Sequence, residues 1–527
     1  MDLRQAVVDR GKRLVTRTPL LKLVSDDRVM RLAEAVMDAR GRFRAAAGKA
    51  AEAWQLMVRG YGLPDIDPAI TEEIEPTTKA RSRGGNGTPE PDTESAPTKR
   101  AVKGTKAGED DIAMSIESRT SLANLGGRDV FQKCREFKTV DAARKRGLYP
   151  YFRPLDLNDG PEAVLEGRRV LMLGSNNYLG LTTHPKVREA AIQAIRDYGT
   201  SMTGSRLVNG SSRLHEVFEE KLATFFNKEA ALVFTTGYQV NLAVCAALLS
   251  NKRTTAVIDR NDHASIYDGV RLGQAVGVKM ARYRHNDAAS LDRVLSELDP
   301  DDGAFVITDG VFSAEGEIAR LPELLPVCKK HNTRLFVDDA HALGVIGPVG
   351  RGSAAHFGLL DQVDLIGGTF SKSLASIGGW LVGERKVLEY IKLFASSFMF
   401  AASAAPPNVA AAMAALEVMQ EEPWRITKLH ENFTYIREEL KKMGWDVGNS
   451  QTAVIPLYVR QDLRTIMMWK ELLEQHGVYT NPFITPGVPP KAQCLRTSYM
   501  ATHSREQLDR ALEAFRTVGK KFGVIDG

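Results

Sequence analysis

Two short apolar runs in this chain end in residues that could do chemistry together. RLFVDDAH (334–341) closes on Asp338, Asp339 and His341, and VDLIGGTF (363–370) is followed by Ser371, Lys372 and Ser373. A third run, AALVFTTG (230–237), leads straight into the helical pattern YQVNLAVCAALL. That junction places Thr236, Gly237 and Tyr238 where the free backbone N–H groups and dipole of a helix start bind a phosphate. Taken singly, each feature is ordinary: a strand-end Asp caps a helix, a Gly makes a turn, and a Lys after Thr-Phe-Ser is solvated. Taken together they supply a phosphate cradle, a carboxylate able to keep a pyridine nitrogen protonated, and an amine able to form a Schiff base. Those are the requirements of a pyridoxal 5'-phosphate site.

The elements that must position these residues are legible in the same runs. From about Asp111 onward, short apolar β-rich stretches alternate with helical patterns: RRVLMLGS (168–175), AALVFTTG (230–237), TTAVIDR (254–260), GAFVITDG (303–310), RLFVDDAH (334–341) and VDLIGGTF (363–370). Several are continuously apolar, as strands covered on both faces of a mostly parallel sheet must be. In such sheets ligands sit outside the carboxyl ends of the strands. After about Pro407, long helical patterns surround one more run, AVIPLYV (453–459), the pattern of a smaller α+β lobe.

Eight segments in collinear order resemble the α-oxoamine synthase family of fold type I pyridoxal phosphate enzymes. They are GSNNYLGL (174–181), TGSRLVNG (203–210), TTGYQVNL (235–242), DHASIYDG (262–269), RHND (284–287), DDAHALGVIG (338–347), GRGS (350–353) and GTFSKSLASIGG (368–379). The resemblance covers roughly three quarters of the chain and omits residues 1 to about 125. It implies that the chain condenses an amino acid with an acyl thioester and releases CO₂. Within the family it is most similar to the bacterial branch that joins L-serine to a long-chain acyl group in sphingolipid synthesis, because TGSRLVNG differs from the glycine- and alanine-using branches. A glycine- or alanine-using member is the alternative, and a catalytically silent scaffold is disfavoured by the presence of both Lys372 and Asp338.

By the same resemblance Lys372 carries the cofactor, Asp338 pairs with its pyridinium nitrogen, His263 stacks on its ring, and His341 reaches its 3-hydroxyl or the substrate carboxylate. Thr369 and Ser371 complete the phosphate cradle. Asn176 and Arg496, the latter in CLRTSYMA, hold the amino-acid carboxylate, for which Arg offers a two-bond fork. Two positions depart from the pattern. Ala401 stands where many relatives have a hydroxyl residue donated across a dimer, and Asp309 stands where the serine-using pattern has Glu. The implied assembly is a homodimer.

The implied domain plan is an N-terminal helical extension (1–74), a flexible linker (75–112), an N-terminal arm (113–169), a large cofactor domain (170–406) and a small C-terminal domain (407–527). The linker contains no aromatic, Leu or Ile over residues 75–110 and cannot offset its chain entropy by burial. Residues 1–60 hold 13 Lys/Arg against 7 Asp/Glu, so a net charge of +5 over 527 residues is concentrated at the front end. That basic end would dock an acyl carrier protein or an anionic membrane surface, or else serve as a solvated extension. With only Phe43 and Trp54 as aromatics there, nucleic-acid binding is not expected. Cys134, Cys245, Cys328 and Cys494 are far apart, which excludes a zinc spacing and a disulfide framework and fits a reducing cytoplasm, peripheral at most to the inner membrane face.

Overall fold

The computed structural model describes residues 128–526. The helical extension, the linker and the first part of the arm expected over 113–169 lie outside the described residues. Two short helices, Gln132–Glu136 and Thr139–Lys145, open the described chain, followed by three strands: β1 (Leu157–Asp159), β2 (Glu162–Leu165) and β3 (Arg168–Met172). Seven more follow: β4 (Ala230–Phe234), β5 (Thr254–Asp259), β6 (Lys279–Tyr283), β7 (Gly303–Asp309), β8 (Arg334–Asp338), β9 (Leu365–Thr369) and β10 (Gly379–Gly383). The C-terminal part adds β11 (Val454–Tyr458), β12 (Val478–Tyr479), β13 (Asn481–Phe483) and β14 (Cys494–Ser498).

The seven strands β4 to β10 form one sheet in the order β4-β10-β9-β8-β7-β5-β6, in which β10 alone runs antiparallel to its neighbours. This is the mostly parallel sheet that the apolar runs required. Side-chain alternation divides each strand between two cores. Leu232, Phe234, Ile258, Ile307 and Phe336 pack on one face with Val240 and Val244 of the helix Gly237–Leu248. Val233, Val257, Val306, Val337 and Trp380 pack on the other, with Phe218 and Leu222 of the helix Arg213–Phe225. A continuous apolar run is therefore two interleaved interiors, and each residue serves only one of them.

Two local outcomes differ from the expectation. RRVLMLGS does not join the central sheet; β3 pairs with β2 and, in parallel, with β12. Two central strands, β6 and β10, escaped the reading: β6 is an edge strand of mixed polarity, KMARY, and β10, GWLVG, begins and ends in glycine. Pro406 and Pro407 fall inside an Ala-rich stretch that runs to Leu416. These prolines begin a helix, Pro406–Glu421, where a missing N–H costs nothing. Val409, Ala412, Ala415 and Leu416 of that helix are buried within the chain, and it packs on the helix Pro185–Tyr198, so this stretch is not a subunit interface by composition alone. The C-terminal strands β11-β14-β13 form a small sheet flanked by the helices Trp424–Lys442, Asp462–His476 and Arg505–Lys521. Among the described residues no helix is long and apolar enough to cross a membrane.

Candidate active site

Asp259, Asp309, Asp338 and Thr369 are the last residues of β5, β7, β8 and β9, and parallel register sets Asp309 directly beside Asp338. Two helices begin at the same edge. Thr236 caps the helix Gly237–Leu248, its hydroxyl accepting from Gln239 N at 3.2 Å, and His263 caps the helix Ala264–Gln274. Strand ends and helix starts thus converge on a cavity of about 210 Å³ lined by Gly237, His263, Asp338, His341, Thr369 and Lys372, among others.

The phosphate end of this cavity can be read atom by atom. A Cβ on Gly237 would lie 2.5 Å from Thr369 Cβ, so only glycine lets the helix start approach the end of β9. The backbone N–H groups of Gly237 and Tyr238 fall in the first turn, where no intrahelical carbonyl is available to them. Across from them Thr369 Oγ1 and Ser371 Oγ sit 2.9 Å apart, and Ser371 N donates to Thr369 Oγ1 at 3.1 Å. Tyr238 contributes its backbone only, since its hydroxyl turns away to Asp268. The side chain of Thr236 is spent on the cap.

Asp338 Oδ2 accepts from Asn241 Nδ2 at 2.7 Å and Oδ1 accepts from Ala340 N at 3.0 Å, which fixes the carboxylate while it still lines the cavity. Burial pushes the Lys372 amine down to about 8, against the opposing pull of Asp338 and Asp309. Burial also holds His341 well below its ordinary value, with Lys372 and Arg496 adding repulsion, and lowers His263. Asp309 is driven well above the usual carboxylate range by burial and by Asp338, and its Oδ2 has no partner among the described residues. Two neutral imidazoles, one carboxylate fixed by donors and one amine near neutrality suit proton transfer at neutral pH. With the cradle, these residues fit pyridoxal phosphate: Lys372 to attach it, Asp338 for its ring nitrogen, and Gly237, Tyr238, Thr369 and Ser371 for its phosphate.

Asn176 and Arg496 meet outside that cavity. Arg496 Nη1 donates to Asn176 Oδ1 at 2.9 Å and to Ser498 Oγ at 2.6 Å, and Arg496 Nε donates to Ser313 O at 2.8 Å. Tyr178 links the pair to the cavity, its hydroxyl 2.7 Å from His341 Nδ1 and 3.4 Å from Asn176 Oδ1. Tyr178, Asn241 and Ser265 were missed as site residues, although each lies inside a quoted motif (GSNNYLGL, TTGYQVNL, DHASIYDG). Their partners are on other elements, so no spacing signals them.

Two expected results follow from this geometry. Because only the neutral amine is a nucleophile, uptake of pyridoxal phosphate by the apoenzyme should accelerate from pH 7 through about 8 and level off above it. Stopped-flow absorbance would show this, and a flat profile would count against the buried amine. Arg496→Lys should raise the KM for the amino acid by roughly tenfold or more and leave the cofactor absorbance unchanged, because an ammonium cannot bond Asn176, Ser498 and Ser313 from one planar group and still present a further N–H to a carboxylate. An unchanged KM would remove Arg496 from the carboxylate site.

Comparison with known proteins agrees with these features. Residues 168–515 match the family Aminotransferase class I and II. A serine palmitoyltransferase from Sphingobacterium spiritivorum is 42% identical over 390 residues, covering 74% of this chain and 96% of the relative. An 8-amino-7-oxononanoate synthase from Thermoanaerobacter pseudethanolicus is 38% identical over 387 residues, covering 73% of this chain and 97% of the relative. Among solved structures, a variant serine palmitoyltransferase from S. paucimobilis, bound to pyridoxal phosphate and myriocin, superposes with a TM-score of 0.72 at 32% identity, covering 76% of this chain and 100% of that one. With a family match over more than half its length and relatives of this identity and coverage, the chain belongs to the class I and II aminotransferase family and, within it, to the pyridoxal phosphate-dependent α-oxoamine synthases.

Proposed function

We propose that the chain condenses L-serine with a long-chain acyl thioester, releasing CO₂ and the thiol and giving a 3-ketosphinganine-type product, the entry step of sphingolipid synthesis. The observation that carries this reading is the placement of Lys372 and Asp338 on one buried cavity with a phosphate cradle at one end. When bound, pyridoxal phosphate supplies an electron-withdrawing ring that stabilises negative charge at the substrate α-carbon. Asp338 would keep the ring nitrogen protonated, and Lys372, with its depressed pKa, would take the α-proton. Arg496 and Asn176 would hold the carboxylate and so orient the bond to be broken. Serine is favoured over glycine or alanine by the TGSRLVNG segment and by relatives named serine palmitoyltransferase at 41–43% identity, against 37–38% for those named 8-amino-7-oxononanoate synthase.

The test is mass spectrometry of products formed from mixed amino acids and mixed acyl-coenzyme A and acyl carrier protein donors. A serine-derived long-chain ketone supports the reading, a glycine or alanine product selects the alternative, and no ketone from any pairing defeats both.

The segment that favours serine also bears on assembly. Ser403 N donates to Gly204 O at 2.9 Å and Ser205 bridges Ala402, which ties the TGSRLVNG loop to residues 400–403. Val208 and Phe400 stay 72% and 70% exposed on it, an apolar surface that a second copy would cover in a homodimer. Light scattering should give twice the 58.0 kDa chain mass, and a monomer mass in an active preparation would refute the dimer.

A further inference from the structure

Asn241 lies one turn on from Gly237, on the same face of the helix, and is 1% exposed. Its side-chain Nδ2 donates twice, to Asp338 Oδ2 and to Ser265 Oγ, each at 2.7 Å. Ser265 Oγ lies in turn 2.7 Å from His263 Nδ1. The amide cannot be turned over, because its oxygen would then face a carboxylate oxygen, acceptor against acceptor. Its Oδ1 is buried with no partner among the described residues, so the two donated bonds orient the group.

Directions follow along the chain of bonds. Ser265 accepts from Asn241, and its own hydroxyl hydrogen is left for His263 Nδ1. The Ser265 backbone N–H is aimed at the same nitrogen at 3.3 Å. Two donors directed at one ring nitrogen exclude a proton from it. We infer that Asn241 is a positioning residue that transmits proton order from Asp338 through Ser265 to His263, fixing the imidazole beside the cofactor as neutral, with its hydrogen on Nε2.

The surroundings of His263 agree. Burial lowers its pKa, Lys372 adds to that effect, and Asp338 and Asp268 oppose it. His341 also faces it, and the Tyr238 ring stands edge-on at 6.2 Å. An uncharged ring matters for the reaction, because an imidazolium stacked on a protonated pyridine would repel it and weaken the partnership with Asp338. The inference rests on the pyridoxal phosphate reading for its consequence and not for its geometry, which belongs to the protein alone.

The test is ¹⁵N-histidine NMR of the holoenzyme and the apoenzyme, with the His263 signal among the 10 histidines assigned by its loss in His263→Gln. At pH 7 the expected pattern is an unprotonated Nδ1 and a protonated Nε2. Ser265→Ala removes the hydroxyl donor and should ease protonation roughly tenfold, raising the His263 midpoint by about one pH unit, whereas Ser265→Thr should restore the original midpoint. An imidazolium or an Nδ1–H tautomer in the unsubstituted protein at pH 7 overturns the inference whatever the variants do, and so does an unmoved midpoint in Ser265→Ala. The expected tautomer in an apoenzyme that takes up no cofactor would leave the inference standing and defeat the functional reading instead.

Discussion

Lys372→Ala should lower activity by roughly 10³-fold or more, because one side chain serves two roles at the reacting centre. The amine would hold the cofactor and would be placed to take the α-proton of the bound amino acid. Both roles need a neutral nitrogen in a water-poor place, and burial supplies this by pushing Lys372 down to about 8. Among the described residues no other lysine lines the cavity. The phosphate cradle of Gly237, Tyr238, Thr369 and Ser371 is untouched by the change, so the variant should still take up pyridoxal phosphate by non-covalent contacts. Borohydride treatment followed by peptide mapping should find label on Lys372 in the unsubstituted protein and on no lysine in the variant. Label on another lysine, or turnover within tenfold of normal, would sink the assignment.

Asp338→Asn should reduce turnover by roughly 10²–10³-fold, the range seen when a preorganised electrostatic partner is removed. The position is nearly isosteric, so the loss is one of charge and hydrogen-bond sense. Asp338 accepts from Asn241 Nδ2 at 2.7 Å and from Ala340 N at 3.0 Å, and these donors leave no place for an amide NH₂ except against one of them or against a protonated ring nitrogen. Either orientation sets donor against donor. Asp338→Glu keeps the charge and should retain more activity than Asp338→Asn, although its longer side chain disturbs the Asn241 contact. Steady-state kinetics with a pH titration of the cofactor absorbance would decide the matter, and equal activity of Asp338→Asn and the unsubstituted enzyme would remove the pyridinium partnership.

Much of this site is written locally in the chain. Continuous apolar runs such as AFVIT and LFVD can only be strands with two covered faces, and Asp309, Asp338 and Thr369 end them because ligands meet a parallel sheet at its carboxyl edge. Thr236-Gly237 and His263-Ala264 mark helix starts within a few residues of strand ends, so the convergence of these residues on one edge of the sheet was readable from neighbours in sequence. Lys372, four residues after Gly368, is equally local.

Pairing over long sequence distances left no such mark. β3 has the composition of a central strand, yet its outer partner is β12, some 300 residues away, and only the free edge of the assembled small sheet selects it. The helix Pro406–Glu421 owes its burial to packing against Pro185–Tyr198, more than 200 residues earlier in the chain. Asn241, Ser265 and Tyr178 are unremarkable polar residues in sequence. Their roles exist only because helix starts, strand ends and the segment after β3 bring hydrogen-bonding atoms within 3 Å of Asp338, His263 and His341. Residue types and strand ends, which short-range sterics and burial dictate, were determined by the sequence itself; which donor faces which acceptor depended on the tertiary structure, because directional bonds between separate elements have no periodicity to read.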